Sequence, residues 1–198
     1  MSISAVVLAA GASRRMGSAK MLLPWKNTTV IGNVVRTLLD SGVIEPVVVT
    51  GRDQMGVCKA LEGLPVRWAH NADYDHTEML QSLQIGLACV PERAEAILIA
   101  LGDQPQIEGD VIREIIAEYY KPSGSIIIPS YLVRRGHPWL VQRMYWPEIL
   151  ALPAEASLRQ FLNAHASEIH YLDVNTPTVL MDLDTPQDYE KYRKMESE

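Results

Sequence analysis

The chain has 198 residues, enough for one domain with a full apolar core. Hydrophobic residues make up 47% and charged residues 21%, which places it among globular rather than disordered proteins. A net charge of −6 argues against wrapping a nucleic-acid backbone or lying on an anionic membrane, but leaves room for a phosphorylated ligand held by a local basic cluster.

No stretch is long and apolar enough to span a bilayer. The first apolar run stops after Ala10 and lacks the basic start of a signal peptide, so a cytoplasmic protein is expected. Cys58 and Cys89 have no zinc-type spacing and are expected to be reduced, mostly buried thiols.

In chain order, Ser4–Ala10 is an almost wholly apolar run, as in a strand covered on both faces, and a polar loop follows it to Lys20. Val30–Leu39 has helical spacing. Pro46–Thr50 reads as a second strand, Met55–Leu61 as a short helix and Val66–Ala69 as a third strand. The polar loop His70–Glu78 precedes a helical pattern over Met79–Cys89. Ala96–Leu101 is a fourth buried strand ending in Gly-Asp-Gln-Pro, Asp110–Tyr120 a helix, and Ser125–Pro129 a fifth strand. This β-α alternation predicts a mainly parallel sheet with helices on both faces. In such sheets the ligand lies at the carboxyl ends of the strands.

The pattern changes after Pro129. Tyr131–Arg135 and Pro138–Val141 read as a hairpin around Gly136. Tyr145–Leu152 and Ala156–His165 are helical; Arg159 and Phe161 lie on the second, read as covering the sheet edge or a subunit contact. Ile169–Leu172 and Thr178–Met181 are strand-like, and Thr185–Lys194 is a closing helix. One domain over 1–198 is expected, in two parts, 1–130 and 131–198.

The loop after the first strand carries the chemistry. Gly11 and Gly17 bracket Ala12, Ser13, Arg14, Arg15 and Met16, with Lys20 three residues on. Glycines let the backbone approach an anion and turn its amides toward it. Arg15 and Lys20 add charge where a triphosphate carries about four negative charges. The spacing is neither that of a Walker loop nor that of a dinucleotide fingerprint. On the residues alone, an ordinary strand-to-helix loop with surface arginines explains it as well.

Leu8, Ala9, Ala10, Gly11, Ser13, Arg15, Met16, Gly17 and Lys20 together fill the pattern LAAGxSxRMGxxK. This resembles the MobA-like NTP transferases, the molybdenum cofactor cytidylyltransferases among them. The resemblance runs from Ser4 to Tyr189. It implies a Rossmann-like, three-layer α/β/α fold with a mixed, mostly parallel sheet, the nucleotide-diphospho-sugar transferase fold.

Two acidic motifs support it. Asp103, in GDQP at a strand tip, suits Mg²⁺ facing a triphosphate, or an Asp-initiated turn capping the next helix. Asp182 and Asp184, in DLDTP, would share one face of a strand and repel one another unless a cation lies between them. They equally suit a helix start with Asp184 or Thr185 as N-cap and Pro186 at the first position. The resemblance implies that Asp103, with Asp182 or Asp184, holds the metal, Mg²⁺ or Mn²⁺, and that Lys20, Arg15 and Asp103 are catalytic.

The resemblance also places the His70–Ser82 segment near the nucleotide base. The family has a small-residue run with serines there, whereas this chain has Glu78-Met79-Leu80-Gln81-Ser82-Leu83, so only Ser82 and Leu83 carry over and Met79 and Leu80 read as packing residues. His137, in Gly-His-Pro, falls on the acceptor side and either contacts a phosphate or shapes the turn. LAAG and GDQP together point to the cytidylyl branch, with CTP as donor, a molybdopterin-type phosphorylated acceptor and a molybdoenzyme receiving the product. A sugar or polyol phosphate as acceptor, or a non-catalytic molybdenum-cofactor chaperone, are the alternatives. No nucleic acid or membrane partner is expected.

Overall fold

The structure is a computed structural model that describes residues 2–11, 16, 19–121 and 125–195. Its centre is β1 (Ser2–Ala9), with Ala5, Val6 and Val7 fully buried. Successive side chains enter opposite layers, Ala5 and Val7 one and Val6 the other, which is why the run has no polar face.

After a short 3-10 turn at Lys20–Leu22, a two-residue-strand hairpin, β2 (Pro24–Trp25) and β3 (Thr28–Thr29), leads into α1 (Val30–Asp40). The Thr29 side chain accepts from Gly32 N at 3.1 Å and caps that helix. Then follow β4 (Val47–Thr50), α2 (Gln54–Ala60), β5 (Arg67–His70), α3 (Met79–Leu87), β6 (Ala94–Leu101) and α4 (Gly109–Tyr119). The rest is β7 (Ile126–Tyr131), β8 (Arg134–Arg135), β9 (Trp139–Gln142), α5 (Trp146–Ala151), α6 (Leu158–Ala164), β10 (Ile169–Asp173) and α7 (Pro186–Met195).

The strands form one sheet in the order β10-β7-β9-β6-β1-β4-β5, with β8 hairpinned onto β7. β1 runs parallel to β4 and β6, β4 to β5, and β10 to β7. β9 is antiparallel to both its neighbours, β6 and β7. Ile31, Val35 and Leu38 of α1 and Ile112 and Ile115 of α4 pack one face. Leu80 and Leu83 of α3, Ile149 of α5 and Phe161 of α6 pack the other. The expected three-layer, mixed, mostly parallel fold is therefore present, with its antiparallel strand inserted late. The sheet draws strands from both halves of the chain. Phe161 faces the sheet and Arg159 faces solvent, as expected for a covering helix.

Two expectations are corrected. The segment expected as a strand over 178–181 is a 3-10 turn, Pro177–Leu180. Pro177 has no N–H for a ladder, and the Thr176 hydroxyl accepts from Thr178 N to start the turn, so local capping overrides the β-branched composition. The hairpin does not turn at Gly136 either. It turns at Leu132 and Val133, whose φ values are 49° and 64°, between β7 and β8. Gly136 instead lies against the 3-10 turn, where a Cβ would stand 2.6 Å from the Val179 carbonyl oxygen. Gly136 serves close approach rather than bending. Cys58 and Cys89 are half-buried free thiols. No helix of the described residues is long and apolar enough to cross a membrane.

Candidate nucleotide-binding cleft

The carboxyl ends of β1 and β6 open onto a cleft of about 320 Å³. Leu8, Ala10 and Gly11 from the end of β1 line it. The neighbouring strand tips come close to them: Gly102 N donates to Leu8 O at 3.0 Å, and a Cβ on Gly51 would meet the Ala10 carbonyl at 2.4 Å. Ala9 is buried, and a Cβ on Gly102 would touch it at 3.2 Å. Ser13, Arg15 and Gly17 lie outside the described residues. Met16 is buried with Trp25, Val30, Leu183 and Tyr189 in a small cluster.

The charge centre of the cleft is Lys20. Its residue is 8% exposed. Nζ donates to Asp103 Oδ2 at 2.5 Å and to Leu183 O at 3.2 Å, and stands 3.8 Å from Asp184 Oδ1. Asp103, Asp182 and Asp184, 83 and more residues away along the chain from Lys20, thus line one cleft with it. Asp182 and Asp184 leave an extended segment, not a strand, yet the alternation expected of them holds: Leu183 between them is fully buried. Thr185 is the helix cap of α7. Its hydroxyl accepts from Asp188 N at 3.2 Å while Asp188 Oδ2 accepts from Thr185 N at 2.9 Å, which leaves Asp184 to the cleft.

The acidic strap is held by the motif that carries Asp103. Leu183 N donates to Asp103 O at 3.1 Å, Gln104 Nε2 donates to Asp182 Oδ1 at 2.7 Å, and Gln106 Nε2 donates to Met181 O. Gln104 and Gln106 are buried. Burial of the Asp182 carboxyl, then the negative charges of Asp103 and Asp184, push its pKa above the ordinary value, against the Gln104 hydrogen bond and Lys20. Asp103 and Asp184 beside one ammonium, with Asp182 lining the same cleft, are hard oxygen donors with negative charge in excess, the kind of donor that Mg²⁺ and Mn²⁺ take. Among the described residues, no three His, Cys, Asp or Glu side chains converge to cage an ion by themselves. That suits a metal held by one or two carboxylates together with substrate phosphates.

At the other end the wall comes from the β5–α3 loop and the first turn of α3: Tyr74, Thr77, Glu78, Met79 and Ser82. Ser82, expected near the base, lines this end of the cleft. Leu80 packs the core as expected, but Met79 does not; it is 43% exposed and lines the cleft. Sequence reading also missed Tyr74 and Thr77, because a polar loop carries no periodicity that says which side chains turn inward.

His137 is absent from the cleft lining. Its ring stacks on Trp139 at 4.4 Å, its Nδ1 lies 3.4 Å from Ile99 O, and its main-chain N donates to Val179 O. Burial pushes its pKa down to about 4, opposed by the Ile99 carbonyl and the Asp103 charge. The unfolded chain takes up this proton near pH 6.5. The stability that this depressed pKa protects is complete above pH 6.5 and is lost as pH falls toward 4, by about 2 kcal/mol at pH 5. His137→Asn is expected to shrink the difference in unfolding free energy between pH 7.5 and pH 5 by about that amount in guanidinium titrations. An unchanged difference would contradict a neutral, buried ring.

Comparison with known proteins agrees with this geometry. The model of the MobA-like NTP transferase domain matches residues 5–169. Nicotine blue oxidoreductase of Paenarthrobacter nicotinovorans is 29% identical over 92% of each chain. Molybdenum cofactor cytidylyltransferase of Escherichia coli is 28% identical over 94% of this chain and 93% of its own. The Mycobacterium tuberculosis protein Rv0371c superposes with a TM-score of 0.85 at 28% identity, covering 98% of both chains, and has also been solved as a manganese complex.

Proposed function

This chain belongs to the MobA-like NTP transferase family, and from that premise we propose that it transfers CMP from CTP to a phosphorylated acceptor of the molybdopterin type, releasing pyrophosphate. The observation that carries this reading is the gathering of Lys20 with Asp103, Asp182 and Asp184 in one cleft at the end of β1.

The acceptor phosphate attacks the α-phosphorus. A new P–O bond forms, the α–β bond breaks, and its electron pair leaves on pyrophosphate. The nucleophile is already ionised at neutral pH, so no general base is needed, and catalysis is positioning plus charge stabilisation. The main-chain edge of Leu8, Ala9, Ala10 and Gly11, with Ser13, Arg15 and Gly17 of the same loop, receives the phosphates. Lys20 and Arg15 hold the departing pyrophosphate. Asp103, with Asp182 or Asp184, holds Mg²⁺ or Mn²⁺, which when bound neutralises phosphate charge. Ser82 faces the base, and His137 supports the acceptor side through the Val179 turn rather than by contact.

The test is pyrophosphate release by purified protein with CTP, Mg²⁺ and molybdenum cofactor. Release is expected with CTP and not without acceptor. Release only with a sugar or polyol phosphate would move the acceptor and keep the class. A second reading rests on the relative named as an oxidoreductase, whose identity to this chain matches that of the cytidylyltransferase. Redox turnover with no pyrophosphate from any NTP would favour it. Cofactor binding without turnover, unchanged by Asp103→Ala, would favour a chaperone.

A further inference from the structure

Asn71 follows β5 and is 2% exposed. Its main-chain N donates to Thr50 O at 2.9 Å, fixing it at the strand tips. Its side chain makes three hydrogen bonds, and their polarity can be read. The Asp73 main-chain N–H, which can only donate, points at Asn71 Oδ1 at 3.0 Å. That orients the amide, so Nδ2 donates to Thr77 Oγ1 at 2.8 Å and to Ser82 Oγ at 3.0 Å. Thr77 passes its own proton to Asp73 O at 3.0 Å and is satisfied. Ser82 accepts from Asn71, and among the described residues its hydroxyl proton has no acceptor. A helical serine usually donates to the carbonyl one turn back; this one does not, and it lines the cleft at 7% exposure.

We infer that Asn71 is a positioning residue that makes the Ser82 hydroxyl a fixed donor into the cleft, so that the nucleobase must present a hydrogen-bond acceptor there. This rests on the nucleotidyltransferase reading above. Cytosine offers O2 and N3 as such acceptors. Such a hydroxyl disfavours a base that turns a donor to the same place, as the N3–H of uracil does where cytosine has its N3 acceptor.

The experiment is calorimetric titration of each NTP, and of ribose 5′-triphosphate without a base, into wild type, Asn71→Ala, Asn71→Asp, Ser82→Ala and the Asn71→Ala/Ser82→Ala double variant, with Mg²⁺ throughout. Asn71→Asp keeps the acceptor for Asp73 N–H and loses both donors, so it serves if Asn71→Ala does not fold. Each single variant is expected to weaken binding of the preferred NTP about tenfold. The double variant should bind no worse than Ser82→Ala alone, the base-less triphosphate should bind all variants alike, and kcat should change less than about twofold while KM follows the binding loss. Losses that multiply to about a hundredfold in the double variant, or that appear equally with the base-less triphosphate, overturn the inference and leave the nucleotidyltransferase reading standing. A wild type that binds no NTP overturns both.

Discussion

Asp103→Asn is expected to cut nucleotidyl transfer about a thousandfold and to weaken Mn²⁺ binding, measured by electron paramagnetic resonance with CTP present, at least tenfold. The variant keeps the shape of the side chain and loses only its charge. Its main-chain carbonyl still accepts from Leu183 N, so the strap carrying Asp182 and Asp184 stays attached. A stability loss of about 1–3 kcal/mol is expected from leaving the Lys20 ammonium, a tenth exposed in its side chain, with a weaker partner. Asp188→Asn is the control. It disturbs the Thr185 cap of α7, costs about 1 kcal/mol, and should leave transfer intact. Equal rate losses in the two variants would mean that Asp103 matters only for folding.

Lys20→Met is expected to lower kcat about a hundredfold or more, by removing the charge that meets the leaving pyrophosphate. Lys20→Arg should recover little of it. The site is 8% exposed and shaped around a compact ammonium that reaches Asp103 Oδ2 and Leu183 O together, a geometry that a planar guanidinium does not reproduce. Without its ammonium, the carboxylate group repels itself, so added Mn²⁺ should raise the Tm of Lys20→Met more than that of wild type. Equal metal-induced shifts in both would show that Lys20 does not balance those acids.

The parts of this molecule legible in the sequence are those whose signal is local and repeated. β1 from Ala5 to Ala9 and β6 from Ala96 to Leu101 are apolar because both faces are covered, and α1, α3 and α4 carry stripes at helical spacing. The β2–β3 hairpin was invisible because two residues per strand give no alternation. The turn at 177–180 is hidden in the sequence because Thr178 and Val179 favour strands, while Pro177 and the Thr176 cap decide the outcome.

The site divides the same way. Lys20, Asp103, Asp182 and Asp184 stood in motifs and do share one cleft. His137 stood in a motif too, but the Gly136 contact with Val179 turns its ring into the protein. Asn71, Tyr74 and Thr77 had no motif, and their roles depend on where the loop folds back against α3. The three arginine, serine and glycine candidates of the phosphate loop, Arg15, Ser13 and Gly17, lie outside the described residues.

The central claim is that a nucleotidyl group moves to a phosphorylated acceptor at this cleft. CTP labelled at the α-phosphorus in one reaction and at the γ-phosphorus in another tests it most directly, each with molybdenum cofactor and Mg²⁺. The account predicts that α-label appears on the acceptor and γ-label in pyrophosphate, in equal amounts, and that both vanish in Asp103→Asn. γ-Label released as inorganic phosphate with no α-label on any acceptor would contradict it.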